Sequence, residues 1–139
     1  MHRLRSYLAL PAEERWLALR AIAALLIAAF LLRVVGYRRV RALLDGSGVR
    51  AGTNGPDAGM VRRAAARAAR TLPRVRCLAQ ACAAEWLLRR AGRPCRVVLG
   101  VARPTAGGLD AHAWVECDGI VVAGAAAVGR YVSLSAPAP

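Results

Sequence analysis

The sequence predicts an α+β protein in which N-terminal helices lead to a cysteine-bearing helix packed on a small antiparallel sheet. Three observations carry this. Up to Gly92 the apolar residues recur at three- and four-residue steps, the period of helices with a buried stripe. Beyond it the pattern shortens to runs rich in β-branched residues, CRVVLGVA over 95–102 and IVVA over 120–123. Between the last two runs stands Asp118-Gly119, a strong signal for a two-residue type I′ hairpin.

Taken in order, residues 1–10 are a basic, partly apolar lead-in without a readable role. Pro11 suits a helix start, and Glu13 and Glu14 complement the dipole of its first turn. The run from Trp16 to Val35 is the most hydrophobic of the chain, and Gly36 closes it. The charge-free piece between Arg20 and Arg33 falls well short of the roughly 20 residues of a membrane span. A helix buried on most sides or docked on a partner is therefore the expectation; a membrane-surface helix is a third option, and contact with a membrane surface is not expected. Tyr37 to Leu44 makes a second helix, Val40, Leu43 and Leu44 inward and Arg38, Arg39 and Arg41 outward. Gly46 to Asp57 is dense in glycine and turn formers and reads as a loop. Asp57 caps the next helix, whose apolar stripe is Met60, Val61, Ala64, Ala65 and Ala68.

Pro73 then breaks the chain before Arg76–Gly92, RCLAQACAAEWLLRRAG, where Leu78, Ala81, Cys82, Trp86 and Leu88 mark the buried face and Gly92 the stop. Cys95 to Ala102 is the first strand and Arg103 to Leu109, with Pro104, Gly107 and Gly108, a loop. Asp110 to Cys117 is the second strand, Ile120 to Ala123 the third, and Tyr131 to Leu134 a short fourth. Ala125 to Ala127 carry no signal, and the Ala/Pro tail is loose.

A chain of 139 residues, 57% apolar, fits one compact domain. It divides into a helical segment over 1–45, a loop over 46–57 and a core over 58–139. All 21 basic residues are arginines, and the net charge is +13. Part of this reflects a coding bias toward Ala and Arg. Nearly all the arginines precede Val97, so the helical half is basic and the strand half near neutral. Such a field attracts an acidic peptide, a nucleic acid or an anionic membrane about equally. No aromatic-basic interleaving supports nucleic-acid binding, and none is expected. No G-x-x-x-x-G-K loop supports nucleotide binding, and no cofactor is expected.

Cys77, Cys82, Cys95 and Cys117 show no zinc-ligand spacing, and no metal is expected. The last three sit in apolar runs and read as buried free thiols in a reducing, cytoplasmic compartment. Cys77 differs. It lies in the first turn of its helix, where unpaired N–H groups, the dipole and the nearby Arg74 and Arg76 favour a thiolate. A thiolate needs a base, and of the two histidines His2 is in the N-terminal tail. His112 in AHAWVE remains.

A cysteine opening a helix and a histidine on a following strand resemble the transglutaminase-like and papain-like cysteine hydrolases. With CLAQACAAEWLLRRAGRPCRVVLGV, LDAHAWVECDG and RYVSL in order, the chain resembles, over about Pro73 to Leu134, the leader peptidases of lasso-peptide biosynthesis. That resemblance implies hydrolysis of one peptide bond between leader and core of a precursor, through a Cys-His thioester mechanism. It implies as partners the precursor's leader peptide, a separate leader-recognition protein and the macrocycle-forming cyclase. The family also carries an orienting aspartate on the returning strand. A plain two-residue hairpin pairs Cys117 with Ile120 and Glu116 with Val121, which sets Ala113 opposite Gly124, so the aspartate's place falls on Gly124. Three alternatives follow: Asp110, beside His112 on the same strand face, as orienter; a backbone carbonyl or water; or reduced activity. Trp114 shares that face. Gln80, one turn past Cys77, is expected to face solvent. The rival readings are a transglutaminase-like amidase on another peptide, and a non-catalytic basic adaptor for acidic peptide or anionic membrane.

Overall fold

A computed structural model describes residues 2–49, 55–124 and 128–134. Five helices come first: α1 (His2–Leu8), α2 (Ala12–Val34), α3 (Tyr37–Gly46), α4 (Ala58–Thr71) and α5 (Cys77–Arg90). The strands β1 (Cys95–Ala102), β2 (Asp110–Cys117), β3 (Ile120–Ala123) and β4 (Val132–Ser133) form one antiparallel sheet in the order β3-β2-β1-β4. The α+β prediction holds.

The lead-in is a helix, pinned where the Tyr7 hydroxyl meets Thr71 Oγ1 at 2.8 Å. Thr71 spends its own proton on the Arg67 carbonyl (2.9 Å), so Tyr7 is the donor. α2 starts after Pro11 with Glu13 and Glu14 in its first turn, and buries Leu17, Ala18, Ala21, Ala24, Leu25 and Ala28. Only that side is covered, by α4 and α5; the other stays open, contrary to the expectation of burial on most sides.

α3 buries Val40 and Leu44 but leaves Leu43 in solvent, and Arg41 turns inward instead of outward. The cause is Glu85 on α5, whose side chain is 0% exposed. A carboxylate so placed needs charged donors to offset its lost hydration. Arg41 supplies two, at 2.7 and 2.6 Å, and Arg89 a third at 2.9 Å. Asp45 closes the network on Arg41 at 2.8 Å. α4 begins as its sequence requires: the Asp57 side chain accepts from the Met60 N–H at 2.7 Å.

α5 is the axis of the molecule. Instead of one buried stripe it buries Ala79, Ala81, Cys82, Ala83, Ala84, Glu85, Leu87 and Leu88, because α2, α3 and α4 wrap one side and the sheet covers the other. Alanine makes this close approach feasible. Its end is a Schellman motif: Gly92 adopts φ +77°, its N–H reaches the Arg89 carbonyl (3.0 Å), and the Arg93 N–H reaches Leu88 (2.9 Å).

The β2–β3 turn has φ +52° at Asp118 and +75° at Gly119, the two left-handed residues of a type I′ hairpin. Its first pairs are Cys117 with Ile120 and Glu116 with Val121. A bulge then slips the register, and Val115 pairs with Ala123 rather than Val122. The expected opposition of Ala113 and Gly124 is corrected by one place. Pairing on the far edge is confined to Val132 and Ser133, against Val101 and Gly100. Ala125 to Ala127 and the Ala/Pro tail lie outside the described residues.

Candidate active site

Alternation divides β2 into two faces. Ala113, Val115 and Cys117 join the core with α5. Asp110, His112, Trp114 and Glu116 occupy the reverse face, where Trp114 is buried and donates Nε1–H to Glu116 at 3.0 Å. His112 is held on three sides. Its ring stacks on Trp114 (centroids 6.1 Å apart) and on Tyr131 (5.0 Å), and its Nε2 lies 2.8 Å from the Gly124 carbonyl oxygen. An oxygen acceptor there sets the tautomer: Nε2 carries the proton and Nδ1 is left with its lone pair.

Two glycines make this nest. Gly100 pairs with His112 across the sheet, and a Cβ on it would come within 2.6 Å of the Trp114 ring and 3.0 Å of Tyr131 Cβ. With no side chain in between, Tyr131 reaches over β1 onto the imidazole. Gly124 has φ +77°, and a Cβ there would sit 2.6 Å from the Ala113 carbonyl oxygen. This backbone has no room for the aspartate that the resemblance implies at the position. The carbonyl of the same residue takes the acceptor's place.

Among the described residues no hydrogen bond joins Asp110 to the imidazole. Asp110 Oδ2 instead accepts the Tyr131 hydroxyl at 2.7 Å, raising the pKa of that phenol and bracing the ring that covers His112. Tyr131 is the site group that sequence reasoning did not single out; a backbone carbonyl was one of its open alternatives, and the one at His112 belongs to Gly124, where the aspartate's place falls. Tyr131 was visible only as a strand start, and a carbonyl has no sequence signature.

Cys77 occupies the first position of α5, after an N-cap, Arg76, that makes no side-chain cap bond. The helix's first backbone bond runs from the Gln80 N–H to the Arg76 carbonyl (3.2 Å), so the N–H groups of Cys77, Leu78 and Ala79 precede any helical acceptor. Gln80 is half-buried rather than solvent-facing, and its amide donates to the Val75 carbonyl (2.9 Å), fastening the turn that delivers Cys77. Cys77 is half-buried, and so, contrary to expectation, is Cys95; Cys82 and Cys117 are buried. Burial, then the nearby Glu85 charge, pushes Cys82 up to about 11 and Cys95 up to about 12. Cys117 is also raised, by burial and then Asp118.

The structure does not bring the two candidates into contact. Among the described residues no hydrogen bond joins the Cys77 sulfur to His112. Cys77 packs against the core on the α5 side of the sheet, His112 stands on the reverse face of β2, and neither lines the cavity nearest to them. A cavity of about 360 Å³ between α2, α4, α5 and β3 is lined by Gln80, one turn past Cys77, and by Gly124, whose carbonyl holds His112. Its other walls are mainly alanine and leucine with Arg62 at the rim, a surface suited to an apolar side chain. Among the described residues no cluster of His, Cys, Asp and Glu could hold a metal ion.

Comparison with known families decides the class. The family model described as the transglutaminase-like superfamily matches residues 21–136. The chain belongs to the transglutaminase-like superfamily. Membership points to cysteine peptidase or amidase-type activity, and the five helices with a four-stranded antiparallel sheet agree with that fold. No curated protein and no solved structure matches the chain.

Proposed function

We propose that this transglutaminase-like protein is a cysteine peptidase that removes the leader from a lasso-peptide precursor, with Cys77 as nucleophile and His112 as base. The observation that carries the reading is the Gly124 carbonyl at 2.8 Å from His112 Nε2, which places the proton of the neutral ring on Nε2 and turns the basic lone pair to Nδ1. Family membership supports the chemistry, and the ordered motifs around Cys77 and His112 support the substrate.

In this mechanism Nδ1 draws the proton from the Cys77 thiol, and the sulfur attacks the scissile carbonyl carbon. The Cys77 N–H at the open helix end donates to the resulting oxyanion. The C–N bond breaks as the imidazolium returns its proton to the leaving amine, and a thioester remains. Water, deprotonated by Nδ1, attacks the thioester; the C–S bond breaks and the thiol is restored. His112 stands on the face of β2 turned away from α5, so the mechanism requires the start of β2 and the turn before α5 to move together on substrate binding to bring the sulfur and Nδ1 within hydrogen-bond reach. The cavity beside Gly124 receives an apolar substrate side chain. A separate recognition protein delivers the leader in the cytoplasm, and the cyclase acts on the product.

The test is cleavage of a precursor peptide in the presence of its recognition protein, followed by mass spectrometry. Cys77→Ala abolishes cleavage and Cys82→Ala retains it. His112→Ala loses about a thousandfold, within the range for a lost general base. Asp110→Asn loses less than about tenfold, because its carboxylate serves Tyr131 and not the imidazole. Full activity in Cys77→Ala overturns the peptidase assignment.

A further inference from the structure

We propose that the open face of α2 docks the protein on an anionic lipid surface, with the helix lying in the interface plane. This goes beyond the peptidase reading and does not depend on it. Along the face run Trp16, Leu19, Leu26, Ile27, Phe30 and Val34, all exposed, Trp16 at 68% and Phe30 at 65%. At 100° per residue they form one stripe, which at 1.5 Å per residue is about 27 Å long.

The charges flanking that stripe select the partner. Arg15 and Arg33 fall along one edge and Arg20 along the other, and the exposed Arg38 and Arg39 of α3 follow the helix end. Two acids lie near. Glu14 faces the other way, toward Arg63 (3.6 Å) and Arg67 (3.4 Å) of α4, and Glu13 sits at the helix start beyond the stripe. An apolar stripe edged by cations fits the boundary of a bilayer with acidic headgroups: the aromatic and aliphatic groups enter the acyl region and the guanidiniums meet phosphates. A second copy of this chain is a poor occupant. A twofold contact on this face would bring its flanking arginines, Arg15, Arg20 and Arg33, against their own copies, with Glu13 alone among the exposed residues of α2 to offset them.

The helix is long and apolar enough to span a bilayer, but Leu17, Ala21, Ala24, Leu25 and Ala28 on its other side belong to the protein's own core. Spanning would strip that core. Lying flat leaves it intact.

The experiment is vesicle co-sedimentation of the full chain at physiological salt. Vesicles of phosphatidylcholine with about one third phosphatidylglycerol retain the protein, and pure phosphatidylcholine vesicles do not. Phe30→Glu with Leu26→Glu lowers partitioning at least tenfold, whereas Leu109→Glu, an exposed apolar site away from α2, leaves it unchanged. Replacing Arg15, Arg20 and Arg33 by Gln lowers it on the order of a hundredfold, about fivefold per guanidinium. Circular dichroism checks that each variant keeps its helices. No retention on the acidic vesicles overturns the proposal, as does retention unchanged by the Phe30/Leu26 pair. Sedimentation velocity covers the remaining case: a dimer that this pair dissociates, without vesicle binding, assigns the face to self-association and overturns it as well. Peptidase activity on a soluble precursor is unaffected by the face variants, so the two proposals stand or fall separately.

Discussion

Removing the Glu85 carboxylate is the most quantifiable perturbation of this fold. Glu85 is fully buried on the central helix and accepts three charge-assisted hydrogen bonds, at 2.7, 2.6 and 2.9 Å, from Arg41 and Arg89. Each such bond contributes about 1.5–3 kcal/mol. The full sum is not lost in Glu85→Ala. Both guanidiniums are partly exposed, and Arg41 keeps Asp45, so water and a second carboxylate recover part of the interaction. The expected cost is about 3–5 kcal/mol, the usual result of breaking a buried ion pair by one partner. At about 3 °C per kcal/mol for a domain of this size, the thermal midpoint falls by about 10–15 °C. Thermal and urea unfolding followed by circular dichroism read this directly. Arg41→Ala costs a similar amount by leaving the buried carboxylate with Arg89 alone, and the double variant loses much less than the sum. A loss below about 1 kcal/mol in Glu85→Ala, or strict additivity with Arg41→Ala, refutes the view that this network fastens α3 to α5.

Two further outcomes follow from the same geometry. Gly124→Ala forces a Cβ to within 2.6 Å of the Ala113 carbonyl at a left-handed φ, and is expected to destabilise by about 2–4 kcal/mol. It also frees His112 Nε2, visible as a changed imidazole nitrogen chemical shift by NMR; an unaltered nitrogen shift and midpoint would contradict the role given to that carbonyl. Folding raises the pKa values of Cys82 and Cys95 above the ordinary thiol value near 9, so the neutral thiols favour the folded state. That contribution is whole below pH 9 and is lost as pH rises through about 11 and 12, so the urea midpoint drops across this window. At pH 8 iodoacetamide should label Cys77 first, the half-buried Cys95 more slowly because its thiol is held neutral, and the buried Cys82 and Cys117 at the pace of unfolding; equal labelling speaks against the burial argument.

Much of the architecture was legible in the linear text because it rests on local rules. Asp57, Gly92 and Asp118-Gly119 act within a turn of their own positions, and each does in the fold what its residue type dictates. The buried thiols of Cys82 and Cys117 were likewise readable as residues in apolar runs. Misreadings arose where a partner distant in sequence intervened. Arg41 reads as a surface cation until Glu85, two helices away, claims it. The hairpin register reads correctly for two pairs, then a bulge that follows no turn rule moves Gly124 beside Trp114.

The sequence by itself determined the class of fold, the helix that opens at Cys77 and the strand that carries His112, because periodicity, capping and turn chemistry are properties of neighbouring residues. Tertiary structure alone decided what holds the imidazole. The acceptor is a backbone carbonyl, which every residue possesses and none advertises, and only packing brings Gly124 to His112 while diverting Asp110 to Tyr131. It also decided which face of α2 stays open. An almost uniformly apolar helix does not distinguish its sides, and the cover provided by α4 and α5 does.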